Sequence, residues 1–448
     1  MKFLEHMTGM YRSWRNDEVN NTTPVLPGSK VLGHLPIFRR DAFVVLREAA
    51  KLGDIARFDL LHTPVYFVKH PDAVGPMLDT QELWLRGEGL QPLLGRNVLT
   101  MNGEEWQASR TFAQPSFHPR MTDRAALDFA QRAELYLDKW HSWARSNTVV
   151  DLARESVCLF AHCATPAFGF RFLPEEIQAF PDAILRLQQW AFAALAGGKK
   201  RSRQVQKDMA MLDRVIERSL NQPAREGQPP NYLDRLRQDH SISRDALRDH
   251  LMLVLIASSD NPPNTFAFVL KALIDNRDWE EAAREEVEQV LHGQSPTVES
   301  LESLPLLSRI VDEALRLYPP VWMLARHSLR DVHLLEHSIP EGTMALIGTY
   351  FIHRHPEFWE EPERFNPDRF LPDQAKDRHR YAYLPFGAGP RRCIGSRIAL
   401  QEIQLLLVLF LQRFRALPTH TGPLPLSGIF ALRSTIGVPC RLQELSTS

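Results

Sequence analysis

The sequence is poor in cysteine, in net charge and in long apolar runs, and each shortage excludes something. Four cysteines, Cys158, Cys163, Cys393 and Cys440, are too few to staple a chain of 448 residues. No disulfide framework is expected, and each thiol is read singly, in a reducing compartment. A net charge of −1 removes bulk attraction to nucleic acid or to an anionic membrane. The N-terminal stretch has no apolar run of signal-peptide or membrane-anchor length. The most apolar segment, IQLLLVLFLQRF at 403–414, is too short to span a bilayer and reads as a buried core helix. Internal repeats and low-complexity tracts are also missing. These absences leave a cytoplasmic, soluble protein with no nucleic-acid partner and no membrane anchor, and a monomer is expected.

What is present is ordinary in amount, with 44% apolar and 24% charged residues, so the information lies in the pattern. Residues 1–22 read as an N-terminal extension and 23–448 as one domain. The segments 55–60 and 63–70 alternate and carry β-branched and aromatic residues, which predicts a hairpin. From about 103 to 315 the periodicity is mostly helical. Loops are expected at the basic run 199–203 and at 221–232. Short strands follow around 328–349, then a proline-rich coil from 354 to 392, then a helix over 396–414. The expected fold class is mainly α with small β-sheets. The central segment 245–275 is apolar enough for a core helix, yet Pro262 and Pro263 stand side by side within it. Each removes a backbone donor at roughly 3 kcal/mol or more, which predicts a break there.

The segment LPFGAGPRRCIGSRIALQE at 384–402 carries the strongest chemical signal. Gly387, Gly389 and Gly395 surround Cys393, and glycine permits positive φ and exposes backbone N–H groups. Arg391 and Arg392 precede the cysteine and a helix begins just after it, and both favour thiolate over thiol. A thiolate held by backbone donors suits a soft axial ligand to haem iron. Taken alone, such a cysteine reads as a structural thiol beside a turn. The full spacing Phe386-Gly387-x-Gly389-x-Arg391-x-Cys393-x-Gly395 argues otherwise.

That spacing resembles the haem-binding loop of cytochrome P450, and the likeness extends over roughly residues 24–442. Its implications are as follows. Cys393 is the iron ligand of haem b, and Phe386 and Gly395 belong to its loop. Glu313 and Arg316 match the family's Glu-x-x-Arg helix. Arg369, in FNPDRF at 365–370, completes a buried cluster with them, although PERF at 362–365 spells the motif more literally. Trp106, Arg110, Arg326 and Arg391 bind haem propionates. The central helix crosses the distal face, where the family pattern Ala-Gly-x-Asp/Glu-Thr becomes Ala257-Ser258-Ser259-Asp260-Asn261. Asp260 keeps the acid, Ser258 replaces the glycine, and Asn261 replaces the threonine hydroxyl that helps deliver protons. An amide does not pass a proton on as a hydroxyl does. The resemblance therefore implies a monooxygenase of specialised metabolism, with two alternatives. Asn261 leaves open a haem-thiolate enzyme of non-standard chemistry, a peroxygenase, an oxidative coupler, or a catalyst of nitrogen-group transfer or dehydration, and the second alternative is a haem sensor or carrier without turnover. Leu90, Leu94, Leu253, Ile256, Ala257, Trp322, Met323, Ile429 and Phe430 are the expected pocket residues, and they imply an apolar small-molecule substrate. Phe168 and Phe170 are read as a lid. Electrons would come from a separate ferredoxin and ferredoxin reductase, docking near the basic stretch 376–381 and Arg391 and Arg392.

Overall fold

A computed structural model describes residues 23–86, 88–195, 201–223, 231–238 and 242–445. The expected extension over 1–22, Lys199 and Lys200 of the basic run, and most of the loop 221–232 lie outside the described residues. The architecture is helical with small sheets. A five-stranded sheet has the order Ile55–Leu60, Thr63–Val68, Met344–Ile347, Leu324–Ser328, Trp84–Leu85. The first two strands form the expected antiparallel hairpin, in register from Ile55 with Val68 to Leu60 with Thr63. Its partner Met344–Ile347 runs parallel to Thr63–Val68. A three-stranded sheet joins Val149–Asp151, Pro439–Glu444 and Phe414–Pro418.

Two large apolar clusters fill the helical part. One gathers Pro119–Arg145, Leu152–Cys163, Pro305–Leu317 and Ser396–Arg413 around Phe266–Ile274. The other gathers Pro174–Leu195 and Arg203–Leu220 around Leu251–Ile256. Both therefore grip one element, the 32-residue helix Arg244–Asp275, which starts at an N-cap where Ser243 accepts from the Ala246 amide. Its first half belongs to one core and its second half to the other.

The expected break at the two prolines does not occur: the helix is continuous through Pro262 and Pro263. Proline's fixed φ is itself helical, so the cost is two lost donors and local crowding, about 3 kcal/mol each. Phe266, Phe268, Val269 and Leu270 follow immediately and are almost fully buried. Each buried apolar side chain of this size contributes about 1.5–3 kcal/mol, so packing outweighs the backbone defect. Asn261 stays helical against the usual bias of a residue before proline, and Thr265 Oγ1 donates to its carbonyl at 3.0 Å.

Candidate active site

Three pieces of the fold converge here: the cysteine loop, the middle of the central helix, and a ring of arginines. The loop is shaped by backbone geometry. Gly387 and Gly389 have φ of +68° and +67°. At Gly389 a Cβ would also meet the Leu78 carbonyl oxygen at 2.4 Å, so glycine is required twice over. The Cys393 amide donates to the Phe386 carbonyl at 3.0 Å, closing the loop on itself, and the Gly395 amide stands close enough to the sulfur to favour its charged form. Cys393 keeps accessible surface, yet enough protein surrounds the sulfur for desolvation to dominate its ionisation. The thiol therefore opens into a recess rather than onto a convex face. The sequence predicts a thiolate-favouring site. In the protein alone burial pushes the thiol's pKa up, against the Gly395 amide and Arg110, Arg86 and Arg392, which pull it down. A coordinated metal ion would reverse that balance, since a ligating thiol loses its proton outright.

The arginines make the recess unusual. Arg326 is 4% exposed, and among the described residues its guanidinium donates only to the Ala325 carbonyl. Burial, with Arg86 and Arg391 nearby, lowers its pKa to about 9. Burial lowers Arg86 to about 10, offset in part by Cys393, and Arg391 also to about 10, with Arg86 adding to the effect. Arg110 is lowered by burial and raised by Cys393. Arg391 donates to Met101 O and to Asn102 Oδ1, and its guanidinium lies 4.4 Å from the Trp106 ring centroid. Arg110 donates to the Arg392 carbonyl at 3.0 Å. Among the described residues none of the four pairs with a carboxylate. Buried guanidinium groups that repel one another and lack an acid call for an anion of more than one charge. A group carrying two carboxylates and a thiolate-seeking metal fits this donor set.

Sequence reasoning brings Trp106, Arg110, Arg326, Arg391 and Cys393 to this recess. It misses Arg86, and Asn102, whose carboxamide both accepts from the Arg86 amide at 3.1 Å and donates to its carbonyl at 3.0 Å. Nothing in the stretch around Arg86 marks it, because its partners are remote in sequence.

Behind the loop, Glu313 and Arg316 are both fully buried and paired at 2.7 and 2.8 Å. Arg316 also donates to the carbonyls of His353, Pro362 and Arg364. Glu313 further accepts from the Asn366 amide at 2.8 Å, and Arg369 Nε stands 3.5 Å from it. Arg364 points outward to Glu361 in an exposed pair. The geometry thus gathers Glu313, Arg316 and Arg369. His353, also missed, ties this cluster to the loop: one ring nitrogen meets the Arg316 carbonyl and the other accepts from the Leu384 amide at 2.7 Å. Burial lowers its pKa to about 3, so the ring stays neutral.

Between His250 and Ile274 of the central helix, accessibility is confined to a stripe of Leu253, Ala257, Ser258 and Asn261 between buried neighbours. These positions share one helix face. Asp260 is not on it. It is 1% exposed, accepts from Gln188 Nε2 at 2.6 Å and is ion-paired with Arg433. Ser259 Oγ has no partner among the described residues. Of the expected pocket residues, Leu90, Leu253, Ala257, Met323, Ile429 and Phe430 keep accessible surface. Leu94, Ile256 and Trp322 are corrections: Leu94 and Ile256 are closed into an apolar core, and Trp322 is fully buried edge-on against Phe43. Their apolar character serves packing. Phe168 and Phe170 are buried in the same core as Leu94.

No described helix is long and apolar enough to cross a membrane. The family model described as Cytochrome P450 matches residues 24–432. Cyclooctat-9-en-7-ol 5-monooxygenase of Streptomyces melanosporofaciens is 29% identical over 89% of this chain and 90% of its own length. Cyclooctatin synthase of the same organism is 28% identical over 91% of each. Taurochenodeoxycholic 6 alpha-hydroxylase of Sus scrofa is 28% identical over 80% of this chain and 77% of its own. None of these three is named for peroxide use, ring coupling, nitrogen-group transfer, dehydration, sensing or carriage, so neither alternative gains support.

Proposed function

The chain belongs to the cytochrome P450 family, an oxidoreductase of monooxygenase type, and from that premise we propose that it is a soluble, cytoplasmic, monomeric haem-thiolate enzyme oxidising an apolar small molecule. Residues 23–448 form its one domain, after an extension over 1–22. The observation that carries the proposal is the group of four arginines with no acid partner among the described residues, gathered where Cys393 opens into its recess. Haem b matches that group: its propionates answer the guanidiniums and its iron answers the sulfur. When bound, haem supplies the activation of dioxygen and the insertion of one oxygen atom into the substrate.

The chain's own residues do the rest. Arg86, Arg110, Arg326 and Arg391 hold carboxylates, with Trp106 packed beneath Arg391. The Gly395 amide holds negative charge on the sulfur, and Phe386 and Gly395 fix the loop's path. The Glu313–Arg316–Arg369 cluster and His353 hold that loop from behind. On the accessible stripe, Ser258 and Asn261 are the polar side chains. The Ser258 hydroxyl donates and accepts, and takes over the work of the missing threonine hydroxyl. The Asn261 carboxamide positions water beside it. Asp260 acts from behind the stripe. The apolar members of the recess, Leu90, Leu253, Ala257, Met323, Ile429 and Phe430, exclude water and select an apolar skeleton. The bacterial relative named for cyclooctat-9-en-7-ol supports that substrate class and a setting in specialised metabolism.

A separate ferredoxin, served by its reductase, delivers the electrons. Lys376, Arg380 and Arg392 are exposed for such docking. Arg378 is not free for it, since it lies 4.4 Å from the Trp359 ring and donates to the Arg369 carbonyl.

The test is the absorption spectrum of the reduced, carbon monoxide-bound protein. A thiolate-ligated haem gives a strongly red-shifted main band, and Cys393→Ser loses it. A wild-type protein that takes up haem without that band overturns the proposal. A Cys393→Ser variant that keeps it does so equally.

A further inference from the structure

Arg433 lies in the second strand of the hairpin whose turn holds Phe430, paired with Ser427, and its guanidinium reaches deep into the molecule. Nη2 meets Asp260 and stands 3.3 Å from Gln188 Oε1. Gln188 in turn donates to the other oxygen of Asp260 at 2.6 Å. Asp260 and Gln188 are 1% and 2% exposed. This clasp joins three elements: the helix Pro174–Leu195, the central helix, and the strand Leu432–Ser434. The strand is further fixed by Asn264 Nδ2, which donates to the Leu432 carbonyl at 2.6 Å.

The clasp leaves donors over. A guanidinium carries five N–H groups, and among the described residues only Nη2 is used. Nε is buried without a partner. Nη1 makes no hydrogen bond among the described residues but is not closed off as Nε is, and the side chain stays 24% exposed. Arg433 follows Ile429 and Phe430 in the same hairpin, and both of these keep accessible surface. Its unused Nη1 thus stands at the edge of a recess whose other polar side chains are Ser258 and Asn261 on the central helix. An incoming acceptor oxygen would meet Nη1, a donor that the clasp leaves unused.

The charge balance decides which oxygen. Arg433 is already matched by Asp260, so the clasp is neutral overall. A carboxylate placed there would meet Asp260 as well as Arg433, and its desolvation would go unrewarded. A hydroxyl or carbonyl oxygen takes the hydrogen bond without that penalty. We propose that Arg433 is a specificity-determining residue: it anchors a neutral oxygen substituent, hydroxyl or carbonyl, on the apolar substrate, while Asp260 holds the guanidinium in place and excludes acids. This rests on the reading of the recess as a monooxygenase substrate site.

The experiment is calorimetric titration of the haem-loaded protein with three probes of one shape: adamantane, 1-adamantanol and adamantane-1-carboxylate. In wild type, adamantanol binds about 3–10-fold tighter than adamantane, the worth of one neutral hydrogen bond, and the carboxylate binds no tighter than adamantane. Asp260→Asn keeps the donors and frees the positive charge, so the carboxylate becomes the tightest of the three. The double variant Asp260→Asn, Arg433→Met removes both charges. It binds adamantane within about two-fold of wild type, with the three probes levelled. A wild type that binds adamantane and adamantanol equally overturns the inference, as does an Asp260→Asn variant that gains nothing for the carboxylate. If none of the probes binds wild type, the apolar recess itself is refuted and the inference falls with it.

Discussion

Replacing Glu313 by glutamine keeps the shape of the side chain and removes one charge from a place where neither partner touches solvent. The carboxylate accepts from Arg316 Nε at 2.7 Å, from Arg316 Nη2 at 2.8 Å and from the Asn366 amide at 2.8 Å. A carboxamide offers one acceptor oxygen and turns two donors toward the guanidinium. Arg316 keeps its three carbonyl partners, but its charge is left uncompensated at zero exposure. Breaking one side of such a pair costs about 3–5 kcal/mol. Against a total stability of about 5–15 kcal/mol, that is a large fraction. The assay is equilibrium urea unfolding of the haem-loaded protein, with Arg364→Gln as the comparison. Arg364 and Glu361 form an exposed pair, 66% and 62% accessible, and breaking it should cost under about 1 kcal/mol. If Glu313→Gln unfolds within about 1 kcal/mol of wild type, or Arg364→Gln is the more damaging, the assignment of the cluster to Glu313, Arg316 and Arg369 is wrong.

Other predictions follow from the same geometry. Arg326→Gln relieves repulsion among buried guanidiniums and should raise the melting temperature of the haem-free protein while speeding haem loss to apomyoglobin; equal effects in one direction on both would refute the account of the arginines. Burial raises the Asp312 pKa to about 6, so its neutral form is favoured on folding. Its stabilising effect is full below the unfolded value near 3.8 and is lost as pH rises through about 6. Asp312→Asn should therefore be more stable than wild type above pH ~6, by up to about 3 kcal/mol, with the gap closing toward pH ~4 in melting curves. Pro262→Ala and Pro263→Ala should each raise the melting temperature, because the helix already runs through both sites and alanine restores a donor; a fall would mean that the prolines shape the helix rather than burden it.

Much of the site was legible because its chemistry is local in sequence. Cys393 and its glycines lie within nine residues, and the hairpin at 55–68 shows its alternation directly. What escaped reading was held by long-range contact. Arg86 gains its meaning from Arg326 and Arg391, His353 from Leu384 and Arg316, and Arg433 from Asp260. None of these pairs has a spacing that a helix or strand would advertise. Leu94, Ile256 and Trp322 misled for the opposite reason: an apolar residue near a pocket and one behind its wall look alike until burial is known. The prolines misled because backbone propensity was legible and the packing on either side was not.

The central helix has one further consequence. Its halves are rooted in separate apolar clusters, and two consecutive positions between them, Pro262 and Pro263, carry no amide hydrogen. Cooperative opening spreads along a helix through its hydrogen-bond ladder, and here two rungs are missing at the boundary between two packing environments. The helix should behave as two units that loosen independently. In amide exchange, Leu251–Ile256 and Phe266–Ile274 would then show different protection. A fluctuation that opens the substrate side would leave the half beside Arg316 and the cysteine loop undisturbed.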